Sequence, residues 1–216
     1  MLILGASRGL GLGLAGEFAH RGWAVTGTVR KDADRAALEA VGATALLADI
    51  TMPDTLDTLK HSVAPGFDVL FINAGISEPA DTASIDEAGI GHLFMTNAVA
   101  PVRAAEALMP LLSPTGMIAF MSSRMGSVAL TDRDNKAMYR ASKAALNSLT
   151  RSFMVRLDRP RPVLTLHPGW VATDMGGAGA DLDVPTSVRG LADVIEARQG
   201  QPGSVFLDYS GAELAW

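Results

Sequence analysis

Tyr139 and Lys143 stand four positions apart in a segment of helical period, so they share one face of a helix, one above the other. A phenol with a pKa of about 10 is a poor acid–base group at neutral pH. An ammonium beside it favours the phenolate and brings proton transfer within reach. Taken alone, a Tyr-x-x-x-Lys pair is more often an exposed helix pair than a reactive one. Two more residues alter that balance: Ser123, just past an apolar run of strand type, and Asn97, on the preceding helical stretch. A second chemistry is written near residue 5. Gly5-Ala6-Ser7-Arg8-Gly9-Leu10-Gly11 follows directly on Ile3-Leu4, where a glycine turn aims a helix N-terminus at a pyrophosphate. Gly5 permits the tight bend, Gly9 lets backbone approach phosphate oxygens, and Gly11 packs the helix on the strand. A strict G-x-G-x-x-G also occurs at Gly11-Leu12-Gly13-Leu14-Ala15-Gly16. It starts too far beyond Leu4 to make the turn, so Gly13 and Gly16 are read as close-packing helix positions.

Such residues need elements to hold them, and the hydropathy pattern supplies these. Short apolar runs alternate with longer segments of helical period, the pattern of βαβ units around a parallel sheet. Strands are expected at 1–4, 23–29, 44–48, 68–73, 117–122, 162–167 and 204–208. Helices are expected over 9–21, 34–41, 54–63, 84–112, 136–157 and 184–197. The fold class is therefore α/β: a single doubly wound Rossmann domain over residues 1–216, with a mostly parallel sheet of about seven strands.

The composition narrows the function from the other side. At 216 residues, 48% hydrophobic and 19% charged, the chain can bury a sizeable core and is not disordered. The absence of cysteine removes disulfides, thiolate metal sites, iron–sulfur clusters and cysteine nucleophiles. A net charge of −5 argues against a nucleic-acid or anionic-membrane surface. No apolar run approaches the roughly 18 residues of a spanning helix. Residues 1–5 carry no basic leader, and Arg8 interrupts any signal-like core. A soluble cytoplasmic protein is expected. The four histidines show no ligand spacing, so no metal is expected. Gly-x-Ser-x-Gly is missing, which disfavours an α/β-hydrolase. Asp132/Asp134 and Asp181/Asp183 read as solvated loop carboxylates.

The spacing G-x-x-x-G-x-G resembles the short-chain dehydrogenase/reductase family, and further segments match in family order. Asp49-Ile50 resembles its adenine-contacting acidic pair, and Asn73-Ala74-Gly75 its Asn-Ala-Gly strand end. Asn97 resembles the asparagine of its catalytic tetrad, Ser122-Ser123-Arg124-Met125-Gly126 its serine motif, and Tyr139-Arg140-Ala141-Ser142-Lys143 its Y-x-x-x-K. His167-Pro168-Gly169-Trp170-Val171-Ala172-Thr173-Asp174 resembles the turn that holds the nicotinamide. Within the family, Ser-Arg-Met-Gly-Ser, Gly-Trp-Val-x-Thr-Asp-Met-Gly-Gly and the short tail ending at Trp216 resemble the C-factor and sniffer-type carbonyl reductase branch. One departure concerns spacing: Ser123 and Tyr139 stand 16 positions apart, with the surplus at 131–136 beside the expected substrate mouth. The chain also lacks a long insertion before its last helix, so any lid is small.

The resemblance implies an NADPH-dependent oxidoreductase moving hydride between nicotinamide and a small carbonyl or alcohol. Its catalytic residues would be Asn97, Ser123, Tyr139 and Lys143. Tyr139 would protonate the carbonyl oxygen, Ser123 would hold that oxygen, Lys143 would grip the nicotinamide ribose, and Asn97 would organise the relay water. Cofactor contacts would come from Gly5, Ser7, Arg8, Gly9, Leu10, Gly11, Arg30, Asp49, Ile50, Asn73, Ala74, Gly75, Tyr139, Lys143, Pro168, Gly169, Val171 and Thr173. NADP is favoured over NAD because the second strand ends Val29-Arg30-Lys31, with the nearest acid, Asp32, beyond both cations. A planar guanidinium suits a 2′-phosphate, and Arg8 adds a second cation nearby. Pocket residues would come from 78–83, 124–138 and 170–180. The helical stretches 84–112 and 136–157 could pair copies into a dimer or tetramer. Two other readings share the topology: a C-factor-like signalling or regulatory nucleotide binder with little turnover, and an S-adenosylmethionine methyltransferase, which has no need of Y-x-x-x-K.

Overall fold

The structure, a computed structural model, describes residues 1–79, 81–133 and 135–216. Ala80 and Asp134 lie outside that set, so the expected pocket segment 78–83 and the Asp132/Asp134 pair are each described only in part. Elements alternate as β1 (Leu2–Leu4), α1 (Gly9–His20), β2 (Thr26–Val29), α2 (Arg35–Ala40), β3 (Thr44–Leu47), α3 (Pro53–Ser62) and β4 (Phe67–Ile72). The second half runs α4 (Glu87–Phe94), α5 (Ala100–Leu108), β5 (Leu112–Met121), α6 (Ala137–Val155), β6 (Pro162–His167), α7 (Val184–Ala197) and β7 (Gly203–Asp208). The seven strands form one sheet in the order β3-β2-β1-β4-β5-β6-β7, and every pair is parallel.

Both faces of the sheet are covered, which is why its strands are apolar runs rather than alternating ones. Ile3, Val69 and Phe71 pack with Leu14, Phe18, Leu191 and Ile195 on one side. Leu2, Leu4, Leu70 and Ile72 pack with Leu56, Ala105, Leu146 and Phe153 on the other. Glycines let α1 lie close to its neighbours. A Cβ on Gly13 would come within 2.7 Å of Val184, and one on Gly16 within 3.4 Å of Val41. The strand order reverses between β1 and β4, opening a crevice at the carboxyl ends of those strands, where open α/β sheets bind ligands. No helix among the described residues is long and apolar enough to cross a membrane.

Two expectations need correction. Residues 23–25 precede the second strand instead of opening it. The helix expected over 84–112 is interrupted: α4 starts at Glu87, residues Met95–Val99 form a π-helical turn, and Leu112 already belongs to β5. Asp86 stops the helix on its N-terminal side, its carboxylate accepting from the Gly89 N–H at 2.8 Å. The π turn has its cause in Pro101. Proline has no N–H to offer the carbonyl four residues back, and that residue is Asn97.

Candidate active site

The glycine turn lies over the β1/β4 crevice and is held by two side chains. The Gly5 N–H donates to Thr28 Oγ1 at 3.0 Å, and Asn73 Nδ2 donates to the Gly5 carbonyl at 2.7 Å. Gly5 (φ +88) and Gly9 (φ +54) occupy the left-handed region. Gly11 faces inward instead: a Cβ there would sit 2.1 Å from the Gly5 oxygen and 2.7 Å from Asn73 Nδ2. Thus Gly5 and Gly9 shape the turn, and Gly11 lets the helix close on it. Arg8 precedes α1 in extended conformation and gives it no side-chain cap, and the first turn carries no acid. The N–H groups at that helix start therefore lack side-chain partners, a disposition suited to anions.

Most of the residues expected to contact a cofactor line one cleft. Gly5, Ser7, Arg8, Gly9, Leu10 and Arg30 line it at the glycine turn, with Thr173 beside Gly9; Asp49, Ile50, Asn73, Ala74 and Gly75 form its side; Tyr139, Lys143 and Pro168 line the rest. Gly11, Gly169 and Val171 do not line it. Gly169 (φ +83) has no room for a Cβ, which would meet Leu182 at 2.3 Å, and Val171 is buried and bridged to Leu182. These residues brace the turn that presents Pro168 and Thr173. Arg8 is engaged in an ion pair, 2.7 Å from Asp174 across the cleft mouth.

At the α6 end Asn97, Ser123, Tyr139 and Lys143 are all buried and each is held by its own neighbours. Asn97, fully buried in the π turn, accepts from the Ile76 N–H at 2.8 Å and donates to the Ile76 carbonyl at 2.7 Å. Its amide also donates to Ser142 Oγ at 3.0 Å, and Ser142 donates to the Tyr139 carbonyl at 2.7 Å. Lys143 Nζ donates to the Met121 carbonyl at 3.0 Å and lies 6.0 Å from the Tyr139 ring centre. The Ser123 hydroxyl lies near enough to the Tyr139 phenol to act on its titration. Ser123 Oγ also accepts from the Met125 N–H at 3.1 Å, which curls the chain into a short turn over α6.

The electrostatics depart from the expectation of a lowered phenol pKa. Burial pushes the Tyr139 phenol up to about 12, outweighing the nearby Ser123 hydroxyl, which acts the other way. Burial also brings the Lys143 ammonium down to about 8. At neutral pH the pair is therefore a protonated phenol beside an ammonium that still holds its proton. That is a donor arrangement.

Sequence reasoning overlooked several supports. Ser122 Oγ donates to Asn147 Oδ1 at 2.6 Å, and Asn147 Nδ2 donates to the Gly126 carbonyl at 3.1 Å, tying the serine turn to α6. A Cβ on Gly126 would lie 2.8 Å from the Lys143 backbone, so glycine is needed where the turn crosses the helix. Ser122, Ser142 and Asn147 recur along α6 and the end of β5, and their burial is the signal a sequence does not display. His92 and Thr96 also line the cleft. Their spacing of four on the α4 side was legible as a shared helix face.

A doubly wound sheet with a glycine turn at its switch point and a buried Ser–Tyr–Lys cluster beside it defines a nucleotide-linked dehydrogenase type of site. Residues 1–181 match the short chain dehydrogenase family, and the chain belongs to it. C-signal of Myxococcus xanthus is 42% identical over 154 residues, 69% of this chain and 92% of that one. A carbonyl reductase from Pseudomonas aeruginosa PAO1 in complex with NADP superposes with a TM-score of 0.92 at 41% identity, covering 100% of this chain and 98% of that one. The carbonyl reductase Sniffer of D. melanogaster gives 0.89 at 33% identity, covering 100% and 98%. Within the family, the chain falls in the C-factor and sniffer-type branch.

Proposed function

We propose that this chain, acting as one domain over residues 1–216, is an NADPH-dependent carbonyl reductase with Tyr139 as the proton donor. The observation that carries the reading is one cleft with a glycine turn and Arg30 at one end and Tyr139 and Lys143 at the other. The residues fit the cofactor on their own geometry. Gly9 adds no side chain of its own to the turn, α1 offers N–H groups without side-chain partners, and Arg30 lines the cleft as a cation suited to a 2′-phosphate. NADPH, when bound, supplies the hydride.

The protein's part is binding, orientation and proton delivery. Ser123 hydrogen-bonds the substrate carbonyl oxygen and keeps it beside the phenol. Tyr139, protonated because it is buried, gives its proton to that oxygen as negative charge develops there. Lys143 spends one of its three N–H bonds on the Met121 carbonyl, leaving the others for ribose hydroxyls and for the phenolate left behind. Asn97, with its amide anchored to Ile76, holds the π turn and the carbonyl that Pro101 leaves without its donor, where a relay water can sit. The cytoplasmic location and possible homo-oligomer expected from the sequence remain part of this reading.

The test is fluorescence titration with NADPH and NADH, followed by a carbonyl panel monitored by NADPH oxidation. One charge-assisted contact at Arg30 contributes about 1.5–3 kcal/mol, a preference for NADPH of roughly 10- to 150-fold. Arg30→Asp reverses it, since a carboxylate accepts from ribose hydroxyls and repels phosphate. Equal affinity of the native protein for both cofactors removes Arg30 from cofactor choice. The 42% identity to C-signal supports a second reading, a regulatory NADP-binding protein. Tight cofactor binding with no turnover across the panel would favour it.

A further inference from the structure

The segment that joins the serine to the tyrosine carries an unusual charge balance for this chain. The overall net charge is −5, yet the stretch 124–140 between the serine and the tyrosine holds Arg124, Arg133, Lys136 and Arg140 against only Asp132 and Asp134. One of these cations is fixed by what surrounds it. Arg140 is mostly buried and donates to the Asn135 carbonyl and to Asn135 Oδ1, both at 2.9 Å, with Asp132 at 4.0 Å. Arg124 is different. It immediately follows Ser123, its side chain is 49% exposed, and its ion pair with Asp132 is long, at 3.4 Å. Arg124 thus opens the short turn that Ser123 begins, and among the described residues its guanidinium is paired with Asp132 alone, which leaves most of its N–H groups unspent.

The surrounding carboxylates are committed elsewhere. Asp208 Oδ1 accepts from Ser210 N, Ser210 Oγ and Ala212 N. Asp174 is paired with Arg8, and Asp183 caps α7 by accepting from the Thr186 N–H. His167 is held neutral by burial, down to about 4, so it adds no charge of its own at neutral pH. We propose that Arg124 is a specificity residue that selects carbonyl substrates bearing a carboxylate, the substrate anion replacing Asp132 as its partner. This rests on the carbonyl reductase reading and adds the substrate class to it. The guanidinium fork takes a carboxylate through two oxygens, which a neutral carbonyl compound cannot match.

The test compares acids with their methyl esters: benzoylformate and 4-formylbenzoate against methyl benzoylformate and methyl 4-formylbenzoate, with NADPH. The quantity read is the acid-to-ester ratio of kcat/KM in wild type and in Arg124→Gln. A charge-assisted contact at a half-exposed site predicts that this ratio falls roughly 10-fold in the variant. Asp132→Asn, which releases Arg124, raises it. The same ratio in wild type and Arg124→Gln overturns the proposal while leaving carbonyl reduction standing. A second arm does not need turnover. Benzoate binding to the NADPH-loaded protein, followed by tryptophan fluorescence, weakens several-fold in Arg124→Gln and with added salt, whereas benzamide binding changes by neither. Benzoate affinity equal in the two proteins overturns the proposal even if none of the four carbonyls is reduced.

Discussion

The two ends of the cleft are made of different material. At the glycine turn, backbone does the work, and what matters is the space that side chains leave empty: no Cβ fits at Gly5 or Gly11 without meeting Ala74 or the Gly5 carbonyl. At the α6 end, side chains do the work and are buried to do it, with Asn97, Ser123, Ser142 and Lys143 all nearly inaccessible. A backbone site is rigid and cheap in electrostatic terms, because its donors are N–H groups the helix start leaves unpaired anyway. A side-chain site must pair most of the polar atoms it buries, hence the chain from Ile76 through Asn97 and Ser142 to Tyr139. The difference teaches where mutations act. Changes at the first end alter binding and folding together, whereas changes at the second can remove chemistry and leave the scaffold intact.

Tyr139→Phe is the largest break in that comparison. It deletes one hydroxyl at the side-chain end and touches nothing at the turn. General acid catalysis is typically worth about 10²–10⁴-fold. Turnover should fall by that much, followed by NADPH oxidation, while titration shows the same cofactor affinity. Wild-type turnover by the variant removes Tyr139 from the reaction.

The electrostatic strain of the same end should be visible in stability. Lys143 has an ordinary value of 10.5 and is brought down to about 8 by burial. Between those values the unfolded chain holds the proton more firmly than the fold does, so stability rises with pH through that window. At about 1.4 kcal/mol per unit, the gain from pH 8 to pH 10 is about 2–3 kcal/mol. Urea melts of wild type against Lys143→Met at the two pH values check it. The wild type should gain relative to the variant, and parallel curves would mean that Lys143 titrates normally.

Gly11→Ala tests the backbone end. The new methyl would meet the Gly5 oxygen at 2.1 Å and Asn73 Nδ2 at 2.7 Å, so the turn must shift. Overpacking of this kind costs about 1–3 kcal/mol. Cofactor affinity should fall in step with stability, read from the same preparation by titration and by thermal melting. An unchanged melting curve with weakened binding would show the turn to be looser than its packing implies.

The same contrast explains what could be read in advance. The glycine turn was legible because conformation and crowding restrict which residues can stand there, and a spacing of glycines after an apolar run records that directly. Tyr139, Lys143, Ser123 and Asn97 were legible through family resemblance, and the helix face of the first two through spacing alone. Their partners were not. Ser142, Asn147 and Ser122 are ordinary polar residues until burial obliges them to pair, and burial depends on how α6 meets β5 across the sheet. The interruption of the 84–112 stretch was hidden for a related reason: Pro101 was visible, but a proline within a helical pattern leaves open whether the helix ends or bulges. The phenol's raised pKa was missed because spacing shows the neighbouring charge and conceals the desolvation that outweighs it.

One ion pair joins the glycine turn to the loop after β6, and it yields the smallest effect. Arg8 belongs to the glycine turn and Asp174 to the loop that follows β6, and their side chains meet at 2.7 Å with both largely exposed, 73% and 77%. An exposed pair contributes between nothing and about 1 kcal/mol to folding, so Asp174→Asn should leave stability within about 0.5 kcal/mol of wild type. Its effect on binding has a definite sign. The carboxylate occupies the guanidinium that would otherwise lean toward a 2′-phosphate, and repels that phosphate as well. Removing its charge should tighten NADPH by about 2- to 5-fold at low salt and leave NADH unchanged, with the gain lost at high salt. Arg8→Gln in the Asp174→Asn background should erase the gain, because the carboxylate acts through Arg8. Identical NADPH affinity for wild type and Asp174→Asn would make the pair a clasp between the two walls, with no part in choosing the cofactor.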